Sequence, residues 1–216
     1  MIRFAIALLV GGAILTFYGF NQHKLASASE TEPQKMTAAE LAANGPGENA
    51  HVTITDAYIL DSYSAYYYED KPTVYEKVWI PAVAMDDPYV AKIDALVAEA
   101  EERNPNNPDF SAAMDLAYPT DIKIVIRSKE LTSEGKVNNF LQETEVTGLV
   151  MNEIEKLDGE EFRELKKLYP SLDTNNIYLI EHNRKPRGTG TTMLMMVGGV
   201  LLMLAGPGLF VLGRGS

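Results

Sequence analysis

Near each end of this chain stands an apolar stretch without a charge: FAIALLVGGAILTFYGF from Phe4 to Phe20, and MLMMVGGVLLMLAGPGLFVL from Met193 to Leu212. A bilayer core about 30 Å thick needs roughly 20 apolar residues at 1.5 Å of helical rise each. The first stretch reaches that length when it is extended back to Ile2 past Arg3, and the second has it outright. The expectation is a pair of transmembrane helices, over residues 1–20 and 188–213, bracketing one polar segment. Phe17, Tyr18 and Phe20 fall at the exit of the first span, where rings favour the membrane–water interface. Arg184, Lys185 and Arg187 precede the second span and read as anchors among the headgroups.

A cleaved signal peptide competes with the first span, because Arg3 precedes the apolar run and Ala26-Ser27-Ala28 offers an A-x-A pattern. The length of the run, and His23-Lys24 between it and the candidate cleavage site, favour a retained anchor. Small residues punctuate both spans. Gly11 and Gly12 in the first, and Gly198 and Gly199 in the second, are positions where helix backbones approach closely, so the spans are expected to pack on each other or on a partner. Pro207 lacks an N–H and is expected to kink or unwind the second span. A short leading tail with an early positive charge suits an exported domain on a cytoplasmic (inner) membrane of a bacterial cell.

Charge narrows the function. All 30 acidic residues and 17 of the 19 basic ones lie between the spans, a formal charge of −13 for that segment. Phosphate backbones would repel it, which argues against nucleic acid as a partner. The chain has no cysteine, which removes disulfides, thiolate metal sites and cysteine nucleophiles together. The segment, roughly 170 residues, is long enough for one self-sufficient core.

Within it, residues 21–36 read as a polar linker and 37–187 as a soluble α+β domain. Thr37-Ala-Ala-Glu40 matches a capping box, so a short helix should start there and stop at Asn44-Gly45-Pro46-Gly47. Alternation predicts strands over 51–56, 63–68, 73–85, 121–127, 144–151 and 177–181. Helical spacing predicts helices over 87–103, 133–142 and 159–169. The sum is five or six strands and four short helices.

No chemistry announces itself. The three histidines are His23 beside the first span, His182 before the basic segment, and His51 at a strand start. Only His51 is placed to join a folded site, and a lone histidine there is more simply a hydrogen-bonded structural residue. A His51/His182 metal pair has no diagnostic spacing. There is no G-x-S-x-G elbow, no H-E-x-x-H and no phosphate loop, so no cofactor is expected. Acidic runs at Glu99-Ala-Glu101-Glu102 and Asp158-Gly-Glu160-Glu161 read as a solvated helix face and a helix start.

Tyrosine is denser. Tyr58, Tyr63, Tyr66, Tyr67, Tyr68, Tyr75 and Trp79 fall within 22 positions. Side chains alternate along a strand, so consecutive Tyr66, Tyr67 and Tyr68 cannot all face one core. Tyr63, Tyr66, Tyr67, Tyr68, Tyr75 and Trp79 therefore form a candidate interaction surface, against the plainer reading of cross-strand aromatic packing.

Terminal spans around an extra-membrane α+β domain resemble the layout of the Surfeit-locus family of cytochrome oxidase assembly factors. The resemblance stops at layout, and membership is not inferred from it. Gly19-Phe20-Asn21-Gln22 lacks the Trp of that family's Gly-x-Trp-Gln motif, and His182-Asn-Arg-Lys185-Pro has no counterpart of its His/Tyr motif. The leading expectation is a non-enzymatic, membrane-tethered interaction or assembly protein, in contact with lipid and with a membrane protein partner or a second copy of itself. The alternatives are a membrane-bound, hydrolase-like enzyme with a site near His51, and a sensor domain binding a small ligand in a buried apolar pocket.

Overall fold

The computed structural model describes residues 2–60, 65–67, 74–116, 119, 121–151, 163, 165–167, 169, 172, 173 and 176–212. Their chain order is α1 (Ile2–Ser27), β1 (Gln34–Thr37), α2 (Ala38–Asn44), β2 (His51–Thr55), β3 (Ala57–Ile59), β4 (Ala65–Tyr67), β5 (Lys77–Ala84), α3 (Pro88–Arg103), α4 (Ser111–Met114), β6 (Ile124–Ser128), α5 (Glu134–Phe140), β7 (Glu145–Val150), β8 (Tyr178–His182) and α6 (Thr189–Leu212). The chain clusters into two compact units. One holds α1, α6 and the short segment 48–51; the other holds 33–47 and 52–184.

The second unit is α+β, built on one eight-stranded mixed sheet. Its order is β1-β2-β7-β8-β6-β5-β3, with β4 also paired to β5. Strands β1 and β2 run parallel, as do β6 and β8, while β5 is antiparallel to β3, β4 and β6. Strand β6 (IVIRS) is buried along its whole length, which is why its apolar residues run without the alternation of a half-exposed strand. Ile54, Val78, Ile80, Ile126, Leu149 and Ile180 are among the residues of the sheet core.

Local chemistry sets the helix starts. Thr37 accepts the Glu40 amide while the Glu40 carboxylate accepts the Thr37 amide, the reciprocal capping box that the sequence signals. Asp87 caps α3 through the Tyr89 amide, with Pro88 at the first helical position, where a missing N–H costs nothing. Strand β7 has a glycine for steric reasons. A Cβ on Gly148 would collide with the Glu181 carbonyl of β8, a backbone atom that cannot step aside. Gly148→Ala is expected to cost about 1–3 kcal/mol, the usual range for overpacking, read as a lower urea midpoint of the full chain in detergent.

Several expectations need correction. Residues 21–36 are not a linker throughout: α1 continues through Ser27, and Gln34–Thr37 forms β1 beside β2. The polar composition misleads there, because a short parallel edge strand needs no apolar run. Strand β3 is three residues long and follows β2 after Asp56, which turns the chain at φ 53°. These additions raise the strand count from five or six to eight. Helix α6 continues through Pro207, so the span is not unwound there. Of the helix expected over 159–169, Arg163 and residues 165–167 are described and helical, with Leu165 buried. Apart from Tyr169, the rest of it and the outer parts of the strand expected over 63–68 fall outside the described residues.

Candidate functional site

In the first unit the site begins with how two helices meet. Along α1 the half-buried or buried positions include Ala5, Leu8, Gly12, Leu15, Gly19 and Gln22, in alternating steps of three and four residues, with Thr16 beside them and Leu25 and Ala26 buried beyond. On α6 the matching set is Thr192, Met195, Gly199, Met203 and Gly206. Such a 3.5-residue period is that of a coiled-coil seam. The partners run in opposite senses: Gly206 meets Ala5, Gly199 meets Gly12, Gly19 meets Met195, and His23 meets Thr192. The helices approach so closely that a Cβ on Gly12 would lie 2.6 Å from the Gly199 carbonyl oxygen. A Cβ on Gly199 would strike Thr16 Oγ1 and come within 2.7 Å of the Gly12 carbonyl oxygen. Thr16 instead returns its hydroxyl to the Gly12 carbonyl at 2.8 Å, keeping it satisfied inside the seam. Gly11 has nothing within 4 Å, and Gly198 meets only Leu15 at 4.0 Å. Of the four expected packing glycines, then, Gly12 and Gly199 form the crossing and Gly11 lies off it.

The polar end of this unit is cross-braced. The Thr192 hydroxyl donates to the Thr189 carbonyl, so its lone pair is left to accept from His23 Nδ1 at 3.0 Å; Thr192 is fully buried. Asn49 fastens the segment after α1, accepting the Glu30 amide and donating to the Glu32 carbonyl. His51 is 2% exposed and donates from Nδ1 to the Glu30 carbonyl at 3.1 Å, while its Nε2 is buried without a hydrogen-bond partner among the described residues. This environment makes His51 a brace of that turn.

In the second unit, polar groups gather where the parallel pair β6 and β8 ends. Consecutive residues on a strand face opposite sides, so Arg127-Ser128 and Glu181-His182 supply one pair to each face of the sheet. On one face the Glu181 carboxylate accepts from Arg127 at 3.0 Å and from Arg184 at 2.5 Å. Burial pushes the Glu181 pKa up, but the two guanidiniums outweigh it and hold it below the usual carboxylate value. On the other face Ser128 Oγ and His182 Nδ1 are 3.2 Å apart, with the Phe140 ring edge-on to the imidazole at 4.9 Å between centroids. Ser128 Oγ accepts the Glu130 amide, which leaves its proton for Nδ1. His182 Nε2 faces Glu143 at 4.0 Å.

That order, hydroxyl to imidazole to carboxylate, is the order of an activated serine. Yet Ser128 is 1% exposed and His182 7%, so the pair ties two strands together and presents no nucleophile to solvent. Burial lowers the His182 pKa below 6.5, although Glu143 and Glu130 pull it upward. The folded state therefore takes its proton later than the unfolded one. The contribution of this group is full above pH 6.5 and is lost as pH falls from there through the depressed folded pKa. His182→Phe is expected to flatten the slope of unfolding midpoint against pH in that window. Trp79, the one tryptophan and 3% exposed, supplies the fluorescence probe.

A comparison with known proteins finds no matching family model, no matching curated protein and no matching solved structure. The site therefore rests on its own geometry.

The expected aromatic surface divides. Trp79 is a core residue, paired across β5 and β6 with Arg127, and its buried indole N–H has no hydrogen-bond partner among the described residues. Its place in a surface patch is corrected accordingly: it lies within an all-buried run of β5. Tyr66 and Tyr67 sit on β4 opposite Val78 and Lys77, and Tyr75 is half-buried with its amide bonded to Thr132. Tyr63 and Tyr68 lie outside the described residues. Among the basic anchors, Arg184 is committed to Glu181 and Met151, Lys185 is exposed, and Arg187 sits over the Tyr18 ring.

Sequence reasoning missed the Ser128–His182 and Arg127–Glu181 pairs. The signal was present in the strand YLIEH, where an acid and a histidine close an apolar run. Among the described residues, no group of three or more His, Asp or Glu could hold a metal ion. An open cleft of about 380 Å³, lined by Thr37, Ala39, Asp56, Met85 and Asp86, carries two carboxylates.

Proposed function

We propose that this chain is a non-enzymatic, membrane-tethered interaction or assembly protein. In this reading α1 and α6 insert as a retained antiparallel hairpin, and the acidic α+β domain that it tethers engages a membrane protein partner or a second copy. The observation that carries the reading is the outer surface of the helix pair. Each helix is long and apolar enough to cross a bilayer, and only 17% of the apolar 18-residue window of each is buried. Phe4, Ile14 and Phe17 on α1, and Leu194, Leu201 and Leu204 on α6, are each 60% exposed or more. The core helix of a soluble protein would hide most of its circumference, whereas lipid covers such a surface without further protein. The seam residues of α1 support its retention, because cleavage after residue 28 would strip α6 of its packing partner. The formal charge of −13 in the polar segment favours a partner with a basic face. The burial of Ser128 and His182 weighs against catalysis there. The domain is read as exported across a cytoplasmic (inner) membrane.

Alkaline carbonate extraction of membranes, combined with protease accessibility of intact spheroplasts, tests this. The expected result is a full-length chain in the pellet whose domain is digested from outside. A chain released by carbonate, or one lacking its N-terminal epitope, would overturn the hairpin.

A further inference from the structure

The helix pair carries two of its cations at one depth. Tyr18 and Phe20 are two residues apart on α1, about 3 Å along the axis and about 200° around it. Their rings therefore leave the helix on opposite flanks at a single level, 43% and 48% exposed. Each ring has a cation on its face. The Arg187 guanidinium stands 5.4 Å from the Tyr18 centroid, and Lys24 Nζ stands 4.8 Å from that of Phe20.

Neither placement is the default for a long cation beside a helix end, which extends its head into water. Arg187 runs along α6, with Nη1 4.0 Å from Met195 Sδ, eight residues further on. Lys24 reaches back one turn toward the apolar span. Both side chains are exposed, and neither forms an ion pair with an acidic side chain of the described residues, in a chain with 30 acidic residues against 19 basic. Lys35, Arg103, Lys123, Arg127 and Arg184, by contrast, each have a carboxylate partner. A ring face attracts one side of a cation and leaves its remaining N–H groups directed outward.

We propose that the Tyr18–Arg187 and Phe20–Lys24 pairs form a two-sided collar that takes the phosphates of anionic phospholipids, one on each flank of the hairpin. The inference rests on α1 and α6 being inserted in a bilayer. Aromatic rings settle at the boundary between headgroups and acyl chains, which brings both cations to the depth of the lipid phosphates. Arg187 offers a fork of N–H donors matched to phosphate oxygens, and Lys24 a compact charge. The collar also has a purpose in this chain: it counters the repulsion between an anionic lipid surface and the acidic domain that the hairpin tethers.

The test uses the full chain in nanodiscs of mixed phosphatidylcholine and phosphatidylglycerol, with the lipid retained by the protein counted by native mass spectrometry. Phosphatidylglycerol is expected to be enriched about fivefold over the bulk mixture, the scale of one cation at an anionic surface. K24Q/R187Q should bring retention to the bulk ratio, while K24R/R187K, which keeps both charges, should hold the enrichment. Equal enrichment in K24Q/R187Q and the unaltered chain overturns the collar, as does its loss in K24R/R187K. Abolition by inorganic phosphate at constant ionic strength also overturns it, since the site would then read free phosphate. Carbonate extraction of the same proteins separates the two ideas. Release from the membrane removes the hairpin reading itself, whereas firm insertion without lipid preference removes the collar alone.

Discussion

Gly199→Ile separates α1 from α6. A Cβ at this position meets the Gly12 carbonyl oxygen at 2.7 Å and collides with Thr16 Oγ1, and neither can retreat, since one is backbone and the other is bonded to it. Isoleucine adds a branched side chain beyond that Cβ, so the helices must part along the middle of their seam. Overpacking of this kind costs about 1–3 kcal/mol, which lowers the closed-to-open ratio of the pair at least about fivefold. The cysteine-free chain allows a direct measurement. His23 and Thr192 are in hydrogen-bond contact across the two helices, so an H23C/T192C pair should oxidise readily in membranes. Adding Gly199→Ile should cut the cross-link yield several-fold, while Gly11→Ile, at a position with nothing within 4 Å, should leave it intact. Equal yields for both would show that the glycine seam does not hold the pair.

The same seam shows how far the sequence could be read. Two charge-free spans declare themselves by length alone, and the small residues in them announce close packing. Which glycines face the partner is not visible until the 3.5-residue register is known, because Gly11 and Gly12 are neighbours and point about 100° apart on a helix. In the α+β unit, helix starts are local events, so Thr37–Glu40 and Asp87–Pro88 could be placed from side-chain chemistry. Strands are not local. Gln34–Thr37 pairs with Val52–Thr55 across an intervening helix, and nothing in QKMT marks it as a strand without that neighbour. The buried polar residues were hidden for the same reason. Ser128 and His182 stand 54 positions apart and meet only because β6 and β8 lie parallel and adjacent. Trp79 shows the converse error: an aromatic-rich stretch suggests a surface, yet the register of β5 with β6 places this ring in the core.

Removing the Glu181 carboxylate is expected to be the most damaging single change in the α+β unit. Arg127 and Glu181 side chains are 9% and 11% exposed, and the same carboxylate oxygen receives both Arg127 and Arg184. Glu181→Leu leaves the apolar packing of β8 nearly unchanged in volume but takes away the charge that both guanidiniums share. Breaking a buried ion pair from one side costs about 3–5 kcal/mol, a large part of a domain stability of about 5–15 kcal/mol. Urea unfolding followed through buried Trp79 should show a sharply lowered midpoint. The pH dependence separates charge from shape. The Glu181 pKa is held below 4.5 in the folded state, so its stabilisation is full above the unfolded value and is lost as pH falls through the folded one. Glu181→Gln keeps the shape, removes the titration and should flatten that acid limb, without touching the slope near pH 6.5 that belongs to His182. If Glu181→Gln unfolds at the same urea concentration as the unaltered chain at neutral pH, the carboxylate contributes no net stability, and the guanidiniums are held by packing alone.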